Sequence, residues 1–191
     1  PKEAFYVPVR GPSGQKTLEQ GRVLERLKGI LEDPSRGKVG QNAKYDALVL
    51  RRAGVELAGL EFDTMVASYL LDPGTRTHNL DALALQYLGY RKIAIEEVMG
   101  KGRTQVSMDR VPIAKVARYS CEDADITWRL YEVLERSLQE RGLHRLYTEL
   151  EHPLIAVLAD IEWNGVAVDC QALANLSRQM AEALAAEEKA I

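Results

Sequence analysis

ARYSCEDADITWRL (residues 117–130) reads as a helix on which Tyr119 and Asp123 stand four residues apart. Positions i and i+4 share one helical face about a turn apart, so a phenol and a carboxylate address the same small volume. Val116, Ile126, Leu130, Val133 and Leu134 recur at helical spacing, which places the Tyr119/Asp123 line beside the stripe that faces a core. A carboxylate there needs compensation by a cation, a salt bridge or a backbone cap. On its own the pair is a weak signal, because Tyr-x-x-x-Asp arises by chance in many helices.

Composition narrows the class. The 191 residues are 46% hydrophobic with a formal net charge of -3, enough apolar material for a core and no global positive field to attract nucleic acid or a membrane. Any nucleic-acid contact therefore has to be local. Cys121 and Cys170 both fall in helix-like text, which suits a reducing cytoplasm better than a disulfide framework. No apolar run approaches membrane-spanning length, and PKEAFYVPVR lacks a signal-peptide core. The chain opens on strand-like text and stops inside a helical pattern, as expected of a piece of something longer.

Upstream of the central helix, AFYVPVR (4–10) has the composition of a short edge strand. TLEQGRVLERLKGILE (17–32) carries an apolar stripe with Thr17 as the expected N-cap. GKVGQ is a brief strand leading to NAKYDALVLRRAG, a helix with Asn42 at its N-cap, Gly54 past its end and Asp46 in its first turn, where the helix dipole favours an acid. LEF is a third strand candidate, and Asp63 looks like the cap of TMVASYLL. DPGTRTHN is a loop carrying Arg76 and His78 to Asn79, the cap of LDALALQYL. Residues 91–110 hold five basic residues around a Gly-rich centre and read as a mobile surface loop. Downstream, Pro112 opens the central helix, which runs to about Glu140. EHPLIAVLADIEWNG is a further helix, VAVD is strand-like, and the tail is helical with Leu173, Leu176, Met180 and Leu184 on one side.

VGQNAKYD (39–46), FDTMVASYLLDP (62–73) and RYSCEDAD (118–125), in this order and at this spacing, resemble the 3'-5' exonuclease domain of bacterial DNA polymerase I, a family A polymerase domain of the DEDD nuclease class. The resemblance runs from about Phe5 into LADIEWNGVAVD, which is similar to the start of that family's polymerase domain. It implies an α/β, RNase H-like fold with a mixed sheet surrounded by helices, divided as residues 1–148 (exonuclease) and 149–191 (start of the polymerase domain). It implies proofreading removal of 3' terminal nucleotides during replication or repair by a cytoplasmic, bacterial-type enzyme. The implied partners are a single-stranded DNA 3' end and the remainder of a polymerase chain. In that family Asp123 helps hold the main catalytic Mg2+ or Mn2+ ion, Asp46 supports a second ion through water, and Tyr119 orients the attacking water. Two ions roughly 4 Å apart activate water and stabilise the leaving oxygen. A tyrosine of pKa near 10 positions water rather than deprotonating it. The resemblance further places Gln41, Asn42 and Tyr45 along the 3' strand and Ile95 where some members wedge an aromatic against a terminal base; independently of it, the loop that carries Arg76, His78 and Asn79 is suited to contact phosphates.

One departure qualifies this expectation. The family's first motif, an Asp-x-Glu on its first strand, supplies the carboxylate that bridges both ions, and no Asp-x-Glu precedes AFYVPVR here. The sheet is accordingly expected to be incomplete and the fragment inactive alone. The alternatives are a non-catalytic DNA-binding or scaffold module of a family A polymerase, or a helical interaction protein unrelated to nucleases.

Overall fold

The computed structural model describes residues 3–190. Its centre is α6 (Ile113–Glu140), 28 residues long, preceded by Pro112, whose ring suits a helix start and blocks further extension upstream. Ile126, Leu130, Leu134 and Leu138 follow one another at four-residue intervals and are all buried. Onto this line pack α3 (Thr64–Leu71), through Ala67 and Leu71, and α4 (Leu80–Leu88), through Leu83 and Ala84. Burying each large aliphatic side chain contributes about 1.5–3 kcal/mol, so this helix trio supplies most of the core's cohesion. Asn79 caps α4 through Oδ1 and Gly89 ends it at φ 60°, both as the sequence indicates.

The sheet is a parallel pair: β1 (Lys38–Gly40) joins β2 (Leu60–Asp63) through α2 (Ala43–Arg52), giving a βαβ unit. Phe62 of β2 reaches the core beside Tyr147, with ring centroids 4.9 Å apart. Gly59, at φ +68°, is required where β2 begins, because a Cβ there would lie 2.7 Å from the Arg36 carbonyl oxygen.

Several local expectations are corrected. AFYVPVR forms no strand, and Phe5 is 82% exposed. A strand exists only as a member of a ladder, and this segment pairs with no strand of the sheet. VAVD is likewise not a strand, with Val166 and Val168 exposed. The expected mixed sheet is thus a two-stranded parallel one among the described residues. α1 (Gln20–Leu31) is capped not by Thr17 but by Glu19, whose longer carboxylate accepts from Gly21 N at 2.8 Å and Arg22 N at 2.6 Å. Asn42 precedes α2 in the left-handed region, at φ 59°, without a side-chain capping bond. Asp63, twenty-one positions on, takes that role. Residues 91–110 are not a featureless loop: α5 (Ile95–Met99) and two short turns fold there, and buried Val98 meets Val111 and Val116 in a second apolar cluster.

The chain divides into two compact units at Ala159/Asp160. After α6, Gly142 at φ 67° reverses the chain. α7 (His144–Leu146) and a wide turn at Tyr147–Glu151 then lead into α8 (His152–Asn164). In the second unit α9 (Cys170–Ala190) leaves Leu173, Leu176, Met180 and Leu184 exposed. No helix among the described residues is long and apolar enough to cross a membrane.

His152 gives a pH prediction. Half-buried against the Tyr147 ring, it is held below the usual histidine value of 6.5 by burial, with the Asp63 charge opposing. The folded state therefore favours the neutral ring, and the unfolded chain takes up the proton first as pH falls. Stability from this group is complete above about pH 6.5 and is lost on acidification through the folded pKa. Urea midpoints should fall between about pH 7.5 and 5.5 with a smaller slope in His152→Gln than in the unaltered chain. An unchanged slope would remove His152 from the account.

Candidate active site

Two acids from distant parts of the chain share one cleft. A cavity of about 440 Å³ is lined by Val39, Gly40 and Gln41 at the end of β1, Asp46 of α2, Leu80 of α4, and Asp123, Ala124, Thr127 and Trp128 of α6. The βαβ unit brings Asp46 there because α2 starts directly after β1, and α6 brings Asp123 because its core face turns the next residues toward that strand end. Although the Asp46 carboxylate reaches solvent, surrounding protein and then the Asp63 charge push its pKa upward. Asp63 itself is 1% exposed, and both of its oxygens are committed. Oδ1 accepts from Met65 N at 2.8 Å, Val66 N at 3.2 Å and Asn42 N at 3.2 Å, while Oδ2 accepts from Ala43 N at 2.7 Å. One carboxylate thus caps both α3 and α2 and fixes the helix that carries Asp46.

Tyr119 stands one turn before Asp123 on α6. Its ring faces the Lys92 ammonium at 4.6 Å from the centroid, and the phenol and the Asp123 carboxylate are near enough to shift each other's ionisation. Burial and then the Asp123 charge raise the Tyr119 pKa, so the phenol is neutral at neutral pH. Burial also raises the Asp123 pKa, against the pull of Lys92. Lys92 is the residue that sequence reasoning missed. Counted there among the charges of a surface loop, its side chain is 2% exposed and its Nζ lies 2.8 Å from Asp81 Oδ1 and 3.0 Å from Asp123 Oδ1. Asp123 Oδ1 is buried and meets Lys92 as an ion pair rather than an aligned hydrogen bond. Burial draws the Lys92 pKa down, but the neighbouring Asp81 and Asp123 carboxylates outweigh it and raise it, so the ammonium stays charged.

The residues expected along a DNA strand are not all gathered at this cleft. Gln41 lines it, and its Nε2 donates to the His78 carbonyl at 2.8 Å while its Oε1 accepts from the Thr64 hydroxyl. His78 is engaged locally, with Nδ1 2.7 Å from Ser68 Oγ and its ring edge-on to Tyr69. Tyr45 on α2 is 65% exposed, Arg76 is exposed on its loop, Asn42 is partly buried, and Ile95 opens α5 with 43% exposure. The last four do not line the cleft.

Solved structures give the fold. The chain aligns with a structure described as Brucella melitensis NrnC at a TM-score of 0.58 and 23% identity, over 83% of this chain and 72% of that one. It aligns more closely with the POL domain of Pol1 from M. smegmatis in complex with DNA primer-template and dNTP, at a TM-score of 0.69 and 25% identity, over 87% of this chain and 25% of that one. Residues 5–139 match the 3'-5' exonuclease family, and the chain belongs to that family as it occurs in DNA polymerase I. The DNA polymerase I of Pseudomonas aeruginosa is 42% identical over 98% of this chain, which spans 21% of that protein's length.

Exonuclease domains of this family use divalent metal ions. The donor set described here does not fit a two-ion centre: among the described residues no group of three or more His, Cys, Asp or Glu side chains is arranged to hold a metal ion. The acid assigned to the main ion is also paired with Lys92.

Proposed function

We propose that this chain is the 3'-5' exonuclease part of a DNA polymerase I-like protein, residues 1–148, followed by the beginning of the polymerase domain, residues 149–191. In this reading the fold is RNase H-like, the protein is cytoplasmic, and the domain removes nucleotides from single-stranded DNA 3' ends with Mg2+ or Mn2+. The observation that carries the reading is the shared cleft, to which α2 and α6 bring Asp46 and Asp123 with Tyr119 a turn away.

The chain's own residues account for binding and orientation. Two carboxylates repel a phosphodiester, so a strand reaches the cleft only if basic side chains or cations offset them. Arg76, Arg91, Lys101, Arg103 and Arg110 are exposed and available for backbone contacts. Trp128, 39% exposed at the cleft and oriented by donation to Glu132 Oε1 at 3.2 Å, offers a stacking face for a terminal base, and Tyr45 offers another. The neutral Tyr119 phenol, one turn from Asp123, orients a water by hydrogen bonding and accepts no proton from it. A non-catalytic DNA-binding module is the second reading, favoured by the pairing of Asp123 with Lys92.

End recognition separates these readings from non-specific binding. The chain has two tryptophans, so in a Trp163→Phe background Trp128 is the sole indole reporter. Linear single-stranded DNA should quench it, whereas a circular strand of the same composition should not, and Tyr45→Ala should weaken linear binding on the order of 10-fold, the worth of one base stack. Equal quenching by circle and line would overturn 3' end recognition.

A further inference from the structure

We propose that Lys92 is an internal counter-ion filling the cation position beside Asp123, so that a divalent ion enters this end of the cleft only by displacing the lysine. The inference rests on the exonuclease reading for the meaning of Asp123, but its geometry stands by itself. A lysine ammonium has three N–H donors and no acceptor. Here the Nζ of Lys92 meets three oxygens: Asp81 Oδ1 at 2.8 Å, Ile93 O at 2.9 Å and Asp123 Oδ1 at 3.0 Å. The Tyr119 ring covers a further side at 4.6 Å, an arrangement that favours a cation over the ring face. The side chain is 2% exposed, so solvent does not compete for these contacts.

Two carboxylates and a backbone carbonyl around one point are also the kind of oxygen set that hard divalent cations select. Ammonium and metal ion would therefore compete for the same oxygens, and they cannot hold Asp123 Oδ1 together. The segment bearing Lys92 is held against α6 independently of the lysine. Glu122 accepts from Ile93 N at 2.7 Å and from the Tyr90 hydroxyl at 2.7 Å. Exchange of lysine for a metal ion thus requires movement of one side chain, with the loop staying attached at Tyr90 and Ile93.

The test is Mn2+ binding to the full 191-residue chain, followed by electron paramagnetic resonance of free Mn2+, together with thermal melts with and without Mn2+. Lys92→Met should gain Mn2+ affinity by about 10-fold or more over the unaltered chain, as expected when a competing buried charge is removed. Asp123→Asn in the Lys92→Met background should erase the gain. Lys92→Met should melt lower than the unaltered chain without Mn2+ and recover with it, while the melt of the unaltered chain should respond less. A Lys92→Met chain that stays unfolded at saturating Mn2+, or that folds and binds Mn2+ no better than the unaltered chain, overturns the proposal. Tight Mn2+ binding at Asp123 in the unaltered chain does so as well, and would leave the exonuclease reading strengthened. A gain in Lys92→Met with no end-selective DNA binding by any variant would instead remove the exonuclease reading and leave the counter-ion in place.

Discussion

Asp63→Ala is expected to cost about 3–5 kcal/mol of stability, enough to unfold a marginal domain at room temperature. The carboxylate is buried and accepts from four backbone N–H groups, those of Asn42, Ala43, Met65 and Val66. Losing a single helix cap costs about 1 kcal/mol, and orphaned buried donors add their own desolvation penalty. Here two helices lose their caps at once. Asp63→Asn keeps one carbonyl oxygen but turns an NH2 group toward one set of donors, so its loss should be intermediate. The backbone N–H of Asp63 also donates to the Tyr147 hydroxyl at 2.8 Å, a bond that survives both substitutions and links β2 to the turn before α8. Tyr147→Phe should therefore cost about 1 kcal/mol on its own. Urea denaturation of the four proteins measures all of these values, and an Asp63→Ala chain as stable as Asp63→Asn would show that the shared cap contributes little.

The same residue shows what the sequence made legible and what it did not. Asp63 before TMVASYLL is a local cap signal and was readable, because the donor lies two or three residues on. Its bonds to Asn42 and Ala43 join positions about twenty residues apart, and only the parallel pairing of β1 with β2 brings them together. No local pattern encodes that. The central helix was readable for the opposite reason: Ile126, Leu130 and Leu134 repeat at helical spacing, and Pro112 and Gly142 punctuate the run. AFYVPVR misled because strand composition states a preference, whereas a strand needs a neighbour.

Lys92 was illegible for a reason of its own. Arg91 and Lys92 are adjacent basic residues in one segment, yet the first is exposed and the second is buried. Nothing in YRKIAI says which of the two turns inward. The choice is made by Glu122 of α6, which holds the Tyr90 hydroxyl and the Ile93 N–H, and by the acids Asp81 of α4 and Asp123 of α6. Charge on a loop is most often solvated, and only the tertiary pairing of three elements overrides that rule here. Asp46 and Asp123 illustrate the converse. Each alone has an ordinary reading as a helix-terminus or core-edge acid, and their meaning came from the family resemblance and from the single cleft they line.

The largest expected effect on activity follows from the same donor set. Two acids line the cleft, one of them is paired with a lysine, and among the described residues no group of three or more His, Cys, Asp or Glu side chains is arranged to hold a metal ion. Electrostatic stabilisation of a leaving 3' oxygen depends on charges held in fixed positions, and loss of one preorganised element at such a site commonly costs about 100-fold or more in rate. The 191-residue chain is therefore expected to release little or no nucleotide from a 3' labelled single-stranded oligonucleotide with Mg2+ or Mn2+. A longer form carrying an upstream Asp-x-Glu strand should recover release, and Asp123→Ala in that form should abolish it. Tyr119→Phe there should lower the rate while leaving binding of the oligonucleotide nearly unchanged, because in the proposed reading the hydroxyl orients water without touching the strand. Asp63→Asn should spare activity in proportion to the folded fraction, since both of its oxygens face backbone donors and not the cleft. Brisk digestion by the 191-residue chain would show that Asp46 and Asp123 suffice or that another acid completes the site, and the residue to test next would be Asp81, the remaining acid at the Lys92 ammonium.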